Sequence, residues 1–227
     1  LSVAGGGSPS VPPGGELGLR AKVTDSCGPV EDYRIRFEVK AVDSSGGHCH
    51  DGNRPRGQAY PDTGLTDSSG VLNTAFLSPW VWCGGGVGDP CTPYARGIAG
   101  QHMVRAISRE DTTKWDTLRI YVRIQGLLQL GEDTLWTLRG GTDPHPLPTN
   151  HYGTPASNQA LRDIAREFRH TLDSLRLAPL RPRYNDQSLM WGGLFDISGG
   201  WACPHCGHLD GRTCDVNWCE PPSPRHD

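Results

Sequence analysis

The residue types most able to do chemistry crowd into one stretch, from Ser188 to Asp215, where histidines, cysteines and aspartates follow a run of glycines and tryptophans: SLMWGGLFDISGGWACPHCGHLDGRTCD. His205 and His208 stand three apart, and Asp215 follows His208 by seven. A hydrolytic zinc centre needs three protein ligands and one position left for water, which the metal acidifies for attack on a carbonyl. His208 and Asp215 supply two ligands across a loop that Gly211 allows to reverse tightly, and His205 is placed to support them from behind. Beyond Asp215 the remaining candidate ligand is His226, and the Pro-rich tail EPPSPRHD is ill suited to form a strand that presents it. The stretch therefore reads as a partial zinc site without a third ligand or a general base.

Eight cysteines compete for the same chemistry. An even count favours disulfides and an oxidising compartment, and Cys83 and Cys91 bracket a glycine-rich loop that closes readily on itself. A bridge from Cys27 to Cys49 is the next expectation. Cys203, Cys206, Cys214 and Cys219 read first as disulfides, then as a structural zinc set, and last as a redox pair at CPHC. His48 and His50 share one face if they lie in a strand, on either side of Cys49. With no third ligand in reach they read as a surface loop, and His145 and His151, among turn formers, read as exposed.

At 227 residues the chain is long enough for two ordinary domains. Its net charge of -3, with the signs mixed, offers no basic stripe for a phosphate backbone. No apolar run reaches the roughly 18 residues of a membrane span, so neither nucleic acid nor a span is expected. Starting at Leu1 without a charged and apolar leader, the chain reads as a mature secreted or cell-surface product.

Residues 1–15, rich in Gly, Pro and Ser, read as a flexible tail or as an arm that adds as a strand to a neighbouring subunit. From Glu16 apolar residues alternate at period two through 17–23, 33–41, 71–77, 102–107 and 118–124, which predicts an antiparallel sandwich over 16–125. Trp80, Trp82 and Trp115 read as core or edge packing. Residues 126–153 read as a linker. A helix opens at the Thr154 and Pro155 cap, lines up Leu161, Ile164, Ala165, Phe168, Leu172 and Leu175 on one face, and ends before Pro179 and Pro182. The fold class is mainly β with a smaller α+β part. A sandwich is followed over 154–219 by a unit with one amphipathic helix and a small antiparallel sheet, then by a Pro-rich tail at 220–227.

The turn VTDSCGPVEDYRIRFEV, the later GLTDSSGVLNTAF and the closing GIAGQHMVRAIS resemble the bacterial immunoglobulin-like domains repeated on surface and secreted proteins. Over 16–125 the resemblance implies an immunoglobulin-like spacer or adhesive module with no chemistry of its own. The run SLMWGGLFDISGGWACPHCGHLDGRTCDV is similar to the zinc peptidases of the D-alanyl-D-alanine carboxypeptidase and murein endopeptidase group, whose fold is shared with lysostaphin-type and hedgehog domains. Their motif of His, six residues and Asp, with a Gly between, maps onto His208, Gly211 and Asp215. A His found three earlier in some members maps onto His205. The group takes its third ligand and its base from a later strand, which residues 216–227 do not offer. The resemblance implies peptidoglycan peptides as substrates and a cut-down zinc centre. The alternative expectation is a non-enzymatic extracellular protein, structural or adhesive, that self-assembles through the sandwich and residues 1–15.

Overall fold

In the computed structural model, which describes residues 1–5, 9–50, 52–83, 94–141, 144–196, 198–202 and 207–217, the period-two segments form strands with their apolar side chains turned inward. The chain opens with β1 (Ser2–Gly5) and β2 (Ser10–Val11), then runs through β3 (Glu16–Lys22), the short ribbon β4 (Thr24–Asp25) and β5 (Gly28–Pro29), and β6 (Arg34–Ala41). After a long loop come β7 (Gln58–Tyr60), β8 (Thr63–Leu65), β9 (Val71–Leu77), β10 (Trp80–Cys83), β11 (Tyr94–Gly97), β12 (Gly100–Ser108) and β13 (Trp115–Val122). The remainder holds β14 (Leu128–Gln129), β15 (Thr137–Leu138), β16 (Tyr152–Gly153), the helix α1 (Pro155–Ser174), β17 (Arg183–Tyr184) and β18 (Val216–Asn217).

Two sheets, ordered β1-β3-β9-β7 and β2-β13-β12-β6-β8, share one core. Leu19, Ala21 and Phe76 from the first face Ile35, Phe37, Val104, Ala106 and Ile120 from the second. Each fully buried Ile, Leu or Phe there contributes about 1.5–3 kcal/mol of apolar transfer. Residues 1–15 do not stand apart as an arm. β1 pairs with β3 and β2 pairs in parallel with β13, so the segment edges both sheets of its own chain and buries Val3 and Val11 in the shared core. Trp80, Trp82 and Trp115 are each more than half exposed, outside the core, because they fall on the outward phase of their strands. Arg105 covers the Trp115 ring at 4.3 Å.

The segment read as a linker is instead built into the C-terminal part: β14 pairs with β16, and β15 pairs with β17. Leu130, Trp136 and Leu138 form a second core with Leu161, Ala165 and Tyr184, so the helix packs on the small sheet β15-β17-β18, next to Asp215. Only a narrow stripe of α1 is needed to cover three strands, and Ile164 and Leu175 remain at least half exposed. Thr154 caps the helix by accepting the Ser157 N–H. It ends before either proline. Arg176 takes φ 54°, with its N–H on the Asp173 carbonyl and the Leu177 N–H on the Leu172 carbonyl, a closing pattern that favours glycine at the left-handed residue. Arg176→Gly is therefore expected to raise stability by about 0.5–1 kcal/mol in a denaturant titration.

The two parts interlock. Leu194 N–H donates to the Gly97 carbonyl, Ile124 N–H to Trp191 and Trp191 N–H to Gly46, and Ile98, Leu194 and Trp201 form a third apolar cluster at the seam. The loop between β6 and β7 and the segment around Asp196 are thereby held against each other.

Candidate metal centre

Three chain segments meet at that seam and bring four ligands together, three imidazoles and one carboxylate. His48 and His50 come from the β6–β7 loop, His145 from the turn that follows Pro144, and Asp196 from the stretch after β17. One ligand atom from each lies within 4.8 Å of all the others. His48 Nδ1 stands 3.1 Å from Asp196 Oδ1, His145 Nε2 3.2 Å from the same oxygen, and His50 Nε2 3.2 Å from Oδ2. Four ligands at about 2.0–2.1 Å from a tetrahedral ion stand about 3.3 Å from one another; the three nitrogen-to-carboxylate separations match that edge, and the whole set spans up to 4.8 Å. The three imidazoles are spaced almost equally, with ring centroids 5.4, 5.5 and 5.4 Å apart, and are steeply inclined to one another at 71–81°. All three rings point a nitrogen at the one carboxylate of Asp196, the arrangement that hydrogen bonds to it require and that a shared ion would also use.

His48, His145 and Asp196 are buried, and the His50 side chain is 14% exposed. Burial, opposed by Asp196, lowers His48 from its ordinary value to about 4, so at neutral pH it offers a lone pair. Burial alone raises the Asp196 carboxyl, but hydrogen bonds from His145 and His48 and from the Trp201 backbone N–H outweigh it and hold the group below the usual carboxylate range. The site therefore combines an ionised carboxylate with a neutral imidazole and can take up a cation. Trp201 forms one wall. Its ring lies 4.7 Å from His48 and 4.4 Å from His50, its indole N–H donates to the Gly52 carbonyl, and its backbone N–H donates to Asp196 Oδ2 at 2.8 Å. Trp201 has φ 53°, a conformation that costs a bulky residue of order 1 kcal/mol or more and here aims that N–H at the carboxylate. Arg54 braces the loop by donating to the Ser45 and Ala99 carbonyls while lying 5.2 Å over the Trp201 ring.

The reading of His48 and His50 as a surface loop, and of His145 and His151 as exposed, is thus overturned. His48 and His50 point into the seam because their loop is pinned there by Arg54, and His145 meets them from its own turn. His151 is buried between the Asn150 side chain and the Tyr184 carbonyl, at 2.8 and 3.1 Å, as part of the structural core. His48 and His50 turn inward, so Cys49 between them turns outward and is a free thiol. Cys27, exposed in the turn at Asp25, is also free, so no Cys27–Cys49 bridge forms, and Cys214 is unbridged as well. Cys83 is disulfide-bonded. Cys91, Cys203, Cys206 and Cys219 lie outside the described residues, as do His205 and His226.

The structure does bring the motif pair together. His208 Nε2 lies 3.3 Å from Asp215 Oδ2, with Asp215 52% exposed. Gly211 is needed between them: at φ 69° an added Cβ would meet the Gly153 Cα at 2.8 Å and the Tyr152 carbonyl at 2.9 Å. Among the described residues no third ligand joins this pair. Neighbouring Cys214 is a poor substitute, since burial pushes its thiol up to about 12. Phe195 separates the two places, its ring 5.4 Å from His145 and 6.4 Å from His208.

None of the family models, curated proteins or solved structures compared with the chain matches it. The chemistry of the site therefore rests on its own geometry.

Proposed function

We propose that the chain is a secreted metal-binding protein in which one zinc ion, held by His48, His50, His145 and Asp196, clamps an immunoglobulin-like spacer to the C-terminal unit. The observation that carries this reading is the convergence of four ligand atoms, from three segments far apart in sequence, within 4.8 Å. Three nitrogens and one carboxylate suit a borderline divalent transition ion, whereas Ca²⁺ and Mg²⁺ prefer oxygen ligands throughout. Four protein ligands in a buried cage fill a tetrahedral shell and leave no position for water, which favours a structural over a hydrolytic role. The test is metal analysis of the purified chain after dialysis against zinc. One equivalent in wild type, lost in His145→Ala and Asp196→Ala but kept in His208→Ala, supports the clamp; equal content in all four removes it.

A second reading, a zinc peptidase-like centre acting on peptidoglycan peptides, is favoured by one specific observation, the 3.3 Å approach of His208 to a half-exposed Asp215. Under the clamp reading, wild type and His208→Ala both leave muropeptides uncut. Cleavage by wild type that falls by at least about a hundredfold in His208→Ala moves the function to that pair.

A further inference from the structure

The net charge of -3 conceals a basic face. On β6, Ile35, Phe37 and Val39 turn into the core, so Arg34, Arg36, Glu38 and Lys40 turn outward. β12 buries Val104 and Ala106 and turns Met103 and Arg105 outward. β13 buries Ile120 and Val122 and turns Trp115, Thr117 and Arg119 the same way. The three strands are neighbours in one sheet, with Arg105 opposite both Glu38 and Thr117, and Met103 opposite both Lys40 and Arg119. On these strands the outer face therefore gathers Arg34, Arg36, Lys40, Arg105 and Arg119 around the carboxylate of Glu38. Asp116 lies on the other phase of β13, where it accepts the Val3 N–H. Cations that alternate with core residues, on strands far apart in the chain, do not read as a basic run in the sequence.

A cavity of about 280 Å³ opens on this face, lined by Glu38, Lys40, Met103, Arg105, Trp115 and Thr117. Arg36 holds Glu38 through Oε1, so the charge of the cavity is set by Lys40 and Arg105. Among the described residues no ion pair joins either of these to an acid. Arg105 lies instead 4.3 Å over the Trp115 ring, and its Nε is buried without a hydrogen-bond partner. Two cations without acids, beside an aromatic wall, suit an anion carried on a ring. We infer that the cavity binds a sugar acid, a pyranose ring bearing a carboxylate, as one unit of an acidic glycan. The carboxylate meets Lys40 and the fork of Arg105. The apolar face of the sugar lies on Trp115, which is 51% exposed. The second oxygen of Glu38 only accepts: a ring hydroxyl donates to it, whereas a phosphate diester has no donor to offer. That difference favours a glycan over a nucleic acid. Arg34, Arg36 and Arg119 extend the positive field along the strands toward neighbouring acidic units. The proposal rests on this sheet face and not on the metal, so either can fail alone.

Calorimetric titration of the full chain with oligomers of galacturonic acid and of glucuronic acid tests it. Wild type is expected to bind at least one of them saturably, and to bind its fully methyl-esterified form at least about tenfold more weakly, because the ester removes the charge and keeps the ring. Lys40→Gln and Trp115→Ala, both at exposed positions, are each expected to weaken binding about tenfold. Arg20→Gln removes the same charge from an exposed position of β3, in the other sheet, and is expected to bind like wild type. Single-stranded DNA of equal charge is expected to bind more weakly than the acidic oligomer. A wild type that binds neither oligomer, an ester that binds as well as the acid, or Lys40→Gln binding like wild type would each overturn the site. Equal losses in Arg20→Gln and Lys40→Gln would reduce it to general charge attraction, and tighter binding of the DNA would overturn the choice of a glycan.

Discussion

Zinc at about a thousand times its dissociation constant is expected to stabilise the metal-free chain by about 4 kcal/mol, read as a rise in melting temperature of roughly 10 °C. The size follows from linkage. His48, His50, His145 and Asp196 lie on three segments that meet only in the folded chain, so the ion binds the folded state and the unfolded state holds little of it. The rise should vanish in His145→Ala, whose imidazole approaches Asp196 at 3.2 Å. His208→Ala should keep it in full, because His208 lies on the far side of Phe195. Calorimetric scans of the three proteins with zinc and with chelator make the comparison. A rise that survives in His145→Ala and disappears in His208→Ala would locate the ion at the motif pair and remove the clamp.

The long strands of the two sheets were legible because each alternates apolar and polar residues over seven or more positions, as β3, β6 and β9 do, whereas β7 and β8, of three residues each, were not. β1 and β2 were not: four and two residues, beside glycines and prolines, carry too little pattern, and only the edges of β3 and β13 select them. The two metal-ligand sets divide in the same way. His208, Gly211 and Asp215 form a local motif whose spacing sets its geometry, so the sequence shows it directly. The four-ligand cage has one local signal, the pair His48 and His50. Its other members look ordinary: His145 sits among prolines, and Asp196 resembles any aspartate in a turn. They become ligands only through the seam, where the hydrogen bonds from Leu194 to Gly97 and from Trp191 to Gly46 lock the segments together. Local spacing cannot encode a contact that depends on two cores docking.

The metal-free chain is expected to lose stability steeply as pH falls from 6.5 toward 4, and the source can be separated from the cage. Burial, reinforced by the charge of Arg54, lowers His102 to about 4, and burial lowers His48 to about the same value. A base whose folded pKa lies below its unfolded value takes up its proton more readily when the chain unfolds, so between those two values stability rises with pH and is lost on acidification. A drop from 6.5 to about 4 is about 3 kcal/mol for each group. Two such groups approach the whole stability of an ordinary domain, about 5–15 kcal/mol. His102 is fully buried beside Phe76, at 5.4 Å, and approaches none of the cage ligands closely enough to join them. His102→Leu, an apolar replacement of similar size, is therefore expected to unfold in urea near the wild-type midpoint at pH 7 and to lose about half as much stability as wild type by pH 4.5. Equal losses in the two proteins would mean that His102 is not a source of the acid sensitivity. Zinc should then protect wild type and His102→Leu alike above pH 6, since the ion competes with the proton at His48 and not at His102.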